Sequence, residues 1–160
     1  MIKETIWTHD DFFISTDKSL LELEVIYRFL HHDSYWAKGI DRNLVEEAIR
    51  NSILCYGVYE GTLEQRKLVG FARVVSDLVR FSWLGDVFIL PEYRGRGLSK
   101  WLMSIIIEHP QLKGTSFNLS TEDAHALYQK YGFKPLTKIE NRLARPLDWE
   151  AINEGLNINI

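Results

Sequence analysis

Residues 87–100, Val-Phe-Ile-Leu-Pro-Glu-Tyr-Arg-Gly-Arg-Gly-Leu-Ser-Lys, constrain this chain more than any other stretch. An apolar run of strand character ends at Pro91, and a loop with two glycines and two arginines follows. Leu98, Trp101, Leu102 and Ile105 then recur at helical spacing. A strand that feeds a glycine-rich turn and a helix is an anion site. The first N–H groups of the helix lack partners, the helix dipole adds positive potential, and glycine lets a phosphate reach the backbone. Arg94, Arg96 and Lys100 add side-chain charge. The alternative for Arg94, Arg96 and Lys100 is a solvated basic turn, but Gly95 and Gly97 set between them favour contact with a phosphorylated ligand.

The rest of the composition narrows the partners. A length of 160 residues suits one domain with one core, residues 1–160, with the last fourteen (147–160) reading as a weakly patterned tail after a core of about 1–146. A net charge of −3 argues against nucleic acid as a partner, because duplex binders carry a basic face. The N-terminal segment predicts no signal peptide and no run is long enough to span a bilayer, so a cytoplasmic protein without a membrane partner is expected. Cys55 is the only cysteine, which excludes an internal disulfide and a cysteine metal cluster; the adjacent His31 and His32 lack further ligands at metal spacing, so no metal is expected.

The hydrophobic period changes along the chain. Residues 11–15 read as a first strand. Thr16 and Asp17 offer cap chemistry for a helix to about Leu30, followed by an aromatic, polar loop from His31 to Ile40. Asp41 begins a second helix over 43–51. Strands follow at 53–59, 68–75 and 80–90, with Gly85 in the third marking either a bulge or a close backbone approach. Then come the helix to about Glu108, a strand at 117–120, a helix at 122–131 closed by Gly132, and closing strands at 133–137 and 142–145. This order predicts an α/β chain with a mixed sheet.

Two segments resemble the GNAT superfamily of acyl-CoA N-acyltransferases. Arg94-Gly95-Arg96-Gly97-Leu98-Ser99 is similar to that family's pyrophosphate signature, Q/R-x-x-G-x-G/A, with Ser99 in place of the last small residue. Thr121 to Phe133 (TEDAHALYQKYGF) is similar to the second signature, N-x-x-A-x-x-L-Y-x-x-x-G-F, with Thr121 in place of asparagine. The resemblance covers nearly the whole element order. It implies a single-domain GNAT-like fold whose mixed central sheet, flanked by helices, is splayed at the cofactor site. It also implies acetyl-CoA as acyl donor, with its pantetheine arm along Val87, Phe88 and Ile89, its pyrophosphate on residues 94–100, and a polar contact from Thr121. The acceptor would be a small-molecule amine or a peptide or protein amine, and a homodimer is possible since many relatives pair.

The chemistry needs a neutral amine, donors for the oxyanion, and a proton for the departing thiolate. The resemblance places Tyr128 where the family has its catalytic tyrosine; the alternative is a packing residue. Asp86, just before the pantetheine segment, is either a base toward the acceptor or a carboxylate paired with an arginine. Tyr35 and Trp36 form an acceptor wall or pack in the core. His125, three residues before Tyr128, faces either the pocket or solvent. The expected activity is N-acetyl transfer to a primary amine by direct attack in a ternary complex. A non-catalytic acyl-CoA sensor is the alternative, and the tyrosine at 128 speaks for the enzyme.

Overall fold

The computed structural model describes residues 2–158. Six strands form one sheet in sequence order: β1 (Ile6–His9), β2 (Phe12–Ser15), β3 (Leu54–Gly61), β4 (Arg66–Ser76), β5 (Phe81–Ile89) and β6 (Ser116–Asn118). Neighbours run antiparallel except β6, which lies parallel to β5. The helices are α1 (Leu23–Arg28), α2 (Arg42–Asn51), α3 (Leu98–Glu108), α4 (His125–Gln129) and α5 (Trp149–Ile158).

Strand alternation divides the apolar residues between two cores. Ile14, Tyr56, Val69, Ala72 and Ile89 meet Leu98, Leu102 and Ile106 of α3 on one face. Phe13, Cys55, Tyr59, Phe71 and Phe88 meet Ile26 of α1, Phe29 and Leu30 just beyond it, and Val45 of α2 on the other. A sheet buried on both faces explains why the central strands read as near-continuous apolar runs. The splayed mixed sheet and its helices are those the resemblance implied.

Several local expectations are corrected. The first strand is β1, and Asp10 at φ 51° turns it directly into β2. The single helix from Asp17 is not formed. The Asp17 carboxylate accepts from the Ser19 N–H (2.8 Å) and closes a 3-10 turn instead, and the Glu22 carboxylate accepts from the Leu68 N–H of β4. Lys18 then donates to the Ile49 and Ser52 carbonyls at 2.9 and 2.6 Å, so tertiary bonds to α2 and β4 override the local helical pattern. After α1 the chain widens into a π-type turn, Phe29–Asp33. Asp41 stands at the α2 N-cap without a side-chain cap bond.

The expected strands at 133–137 and 142–145 are absent. Lys138 adopts φ 56°, and a 3-10 turn occupies Ile139–Asn141. β6 offers only three residues of ladder, and Pro135 and Pro146 remove N–H donors on either side of the turn. The segment expected as an unpatterned tail contains α5.

Candidate active site

Three features meet where β5 leaves β6. The parallel pairing stops at Trp83 and Asn118, yet β5 continues to Ile89, so one edge of its last six residues faces an opening rather than a strand. A bulge lies inside that segment. Phe71 faces Phe88 and Arg73 faces Gly85, which leaves Asp86 and Val87 opposite Ala72 alone. The bulged residue is Asp86, at φ 52°, and not Gly85; a short polar side chain tolerates this left-handed conformation best among non-glycine residues. Leu90 donates to the Val69 carbonyl at 2.8 Å, so by antiparallel alternation the backbone of Ile89 faces the opening.

The loop after β5 has the geometry that suits an anion. Gly95 and Gly97 both take φ 78°, and a Cβ at either would meet no atom within 4 Å, so they supply both the turn and open space above it. Gly97 caps α3, and the first intrahelical bond is Trp101 N–H to the Gly97 carbonyl at 3.0 Å. The amides of Leu98, Ser99 and Lys100 are therefore left for a ligand. The Leu98 side chain is buried in the core, so only its backbone serves the cradle. A pocket of about 240 Å³ joins Ile89, Arg94, Gly95, Gly97, Leu98, Ser99 and Lys100 with Tyr93 and Leu127.

The cations are held in different ways. Arg94 Nε donates to the Ile89 carbonyl at 3.1 Å, tying the loop back to β5. The Arg96 guanidinium lies 5.2 Å from the Tyr93 ring centre, and Lys67 Nζ lies 5.3 Å from the same ring. The Tyr93 hydroxyl donates to Glu60 at 2.6 Å. Sequence reasoning missed Tyr93; its place in the apolar spacing after Pro91 carried no sign of this role.

Tyr128 is buried on α4 and meets Phe133 edge-on at 5.9 Å. Burial, with the nearby Tyr35 and Asp123 adding, pushes its phenol up to about 12. It lines a larger cavity of about 480 Å³ with Leu119, Thr121, His125, Phe133 and Leu136, separate from the pocket at the glycine turn. His125 thus shares this cavity. Thr121 also lines it, but its hydroxyl accepts from the Ala124 N–H at 3.1 Å and so orders the start of α4.

The remaining candidates lie at the opening. Asp86 accepts from Arg73 Nε at 2.5 Å and from Trp36 Nε1 at 2.8 Å, so the arginine pairing foreseen as its alternative role is present. Nothing in the sequence flagged Arg73. Tyr35 and Trp36 are 46% and 38% exposed, which removes the core reading for both. Phe88 turns its ring away from the opening and stacks on Phe29 at 4.0 Å. Cys55 is buried, and desolvation raises its thiol to about 11. Among the described residues no group of three His, Cys, Asp or Glu could hold a metal, and no helix is long and apolar enough to cross a membrane.

Comparison with known proteins identifies the family. Residues 54–135 match the family described as Acetyltransferase (GNAT) domain. A Gibberella zeae protein assigned as an acetyltransferase is 32% identical over 147 residues, covering 80% of this chain and 82% of that protein. An uncharacterized N-acetyltransferase of Pyropia yezoensis is 32% identical over 128 residues, covering 77% of this chain and 70% of its own. A crystal structure from Xanthomonas campestris pv. campestris, assigned to the GNAT acetyltransferases, superposes with a TM-score of 0.80 at 45% identity, covering 88% of this chain and 94% of that one. A Staphylococcus aureus structure at 20% identity and TM-score 0.67 shares the fold. The chain belongs to the GNAT acetyltransferase family.

Proposed function

We propose that this protein transfers the acetyl group of acetyl-CoA to a primary amine. The observation that carries the reading is the end of β5, paired with β4 on one edge and open on the other beyond Trp83. Its open edge leads from the bulge at Asp86 to the glycine turn, a path that no strand covers, with open space above Gly95 and Gly97 at its end. The residues present fit the donor: the amides of Leu98, Ser99 and Lys100 suit its pyrophosphate, Arg96 and Lys100 add positive charge, and the edge of Val87–Ile89 suits an amide-bearing arm.

Acetyl-CoA supplies a thioester that an amine attacks directly. Tyr128, whose phenol keeps its proton far above neutral pH, serves as acid toward the departing thiolate. Backbone N–H groups at the bulge serve the developing oxyanion. Cys55 is no nucleophile, because its buried thiol stays protonated at neutral pH, which supports direct transfer without an acyl-enzyme.

The test is thiol release from acetyl-CoA in the presence of a panel of small amines and peptides. The reading expects amine-dependent release and a matching N-acetyl product. Acetyl-CoA binding without transfer to any amine would leave only an acyl-CoA sensor.

A further inference from the structure

This inference rests on the reading of the opening as an acetyl-CoA cleft and concerns what stands across it. Tyr35 and Trp36 are consecutive, yet they are fastened to opposite sides. Trp36 Nε1 donates to Asp86 on β5 at 2.8 Å, while the Tyr35 hydroxyl accepts from the Glu122 N–H, just ahead of α4, at 2.9 Å. The two rings meet edge-on at 5.0 Å. The loop that carries them has buried feet. Ser34 and Ala37 are 2% and 7% exposed, and the Ser34 hydroxyl donates to the Leu30 carbonyl at 2.6 Å while accepting from the Ala37 N–H at 3.1 Å. The tip is thus set by a rigid base.

Asp86 is the latch. Its second oxygen is taken by Arg73 Nε, and Arg73 reaches on to the Ser52 hydroxyl at 3.3 Å. The carboxylate therefore joins the bulge of β5, the neighbouring strand β4 and the strap in one network. A group so fully engaged is built to position Trp36 rather than to collect a proton from an amine.

We propose that Asp86 latches the Tyr35–Trp36 pair as a strap across the acceptor mouth, and that the strap selects compact primary amines over polypeptides. A chain lying across the mouth must break the bonds at both ends of the strap and disturb a largely desolvated ion pair. A compact amine passes end-on beside it and finds two half-exposed aromatic rings, surfaces that suit an apolar body or an approaching cation. Asp86 acts through Trp36 and is a positioning residue.

The experiment compares a compact arylalkylamine with a lysine-containing octapeptide in the wild type, Trp36→Phe and Asp86→Asn. The wild type is expected to favour the amine by about tenfold or more in kcat/KM, a span that pocket contacts of this kind supply. Trp36→Phe, which keeps a ring but loses the indole donor, is expected to narrow that ratio about tenfold, chiefly through the peptide KM. Asp86→Asn is expected to keep the pH profile of the wild type, since an asparagine oxygen still accepts from Trp36. Equal use of both acceptors, transfer to neither, an equal change for both in Trp36→Phe, or loss of a pH limb in Asp86→Asn each overturns the proposal.

Two readouts separate this from the underlying reading. Calorimetry with acetyl-CoA alone tests the cleft. Hydrogen exchange at the Trp36 indole tests the latch without turnover: slow exchange in the wild type and fast exchange in Asp86→Ala are expected, and fast exchange in the wild type overturns the latch even if acetyl-CoA binds.

Discussion

Tyr128→Phe isolates the proposed acid with the least structural disturbance. Tyr128 is 9% exposed, so the substitution keeps the packed ring and its edge contact with Phe133 while deleting one oxygen. The magnitude follows from the environment. With the phenol pushed up to about 12, only on the order of one molecule in 10⁴ is ionised at pH 8, so the acid is fully loaded under any ordinary assay. General acid catalysis of this kind contributes about 10²–10⁴-fold. We therefore expect kcat to fall by about 10²-fold or more, with the affinity for acetyl-CoA and the melting temperature nearly unchanged. The assay is steady-state thiol release alongside calorimetric binding. The sign of the pH effect is also fixed: an acid is lost as it deprotonates, and a phenol raised by burial does so late. The wild type should accordingly show no fall in kcat from this group as pH rises through the ordinary tyrosine value near 10. A fully active Tyr128→Phe would refute the assignment of the acid while leaving the family membership intact.

Further outcomes follow from other parts of the structure. Gly97→Ala forces a Cβ onto a residue at φ 78°, which costs roughly 1–2 kcal/mol in chemical denaturation, and the methyl group enters the open cradle, so acetyl-CoA affinity measured by calorimetry should fall further than stability does. Gly57→Ala places a Cβ 2.3 Å from the Tyr59 hydroxyl inside the α1–α2 core, and overpacking there should destabilise the protein by about 1–3 kcal/mol without altering the chemistry at the cradle. Burial raises the phenols of Tyr56, Tyr59 and Tyr128 in the folded state, so the unfolded chain releases these protons first; stability is complete below pH 10 and should decline as pH climbs from 10 toward 12, measured as a falling midpoint in urea. The Asp77 carboxylate accepts from the Val79, Arg80 and Phe81 amides and is held down to about 2, so its stabilisation of the β4–β5 turn should be lost as pH falls from about 4 toward 2, and Asp77→Ala should remove that acid-limb dependence.

The legible parts of this protein were those whose local chemistry leaves one solution. Gly95 and Gly97 beside arginines, between a strand and a helix, point to a tight glycine turn from spacing alone, and the structure places both at the positive φ that the turn requires. Asp77, between the strands expected at 68–75 and 80–90, accepts from three consecutive amides and closes the turn that joins them. What stayed hidden was tertiary. The helix expected from Asp17 yields to the bonds of Lys18 with the end of α2 and of Glu22 with β4, groups 31 to 46 residues away. Gly85 signals a bulge or a close approach in sequence because glycine marks such sites, but the residue that turns left-handed is Asp86, held there by Arg73 and Trp36. The same limit applies at the site. Tyr35 and Trp36 are aromatic in sequence whether they are core or surface, and only their exposure and their partners at Glu122 and Asp86 take them out of the core.

The central claim is that the open edge of β5 and the cradle after it hold acetyl-CoA, and an amide ¹H–¹⁵N NMR titration tests it most directly. The account predicts saturable shifts concentrated at Val87, Ile89 and the amides of Gly95 to Lys100, with the β1–β2 hairpin unmoved. Saturable shifts confined to other residues, or no shifts at millimolar acetyl-CoA, would contradict it.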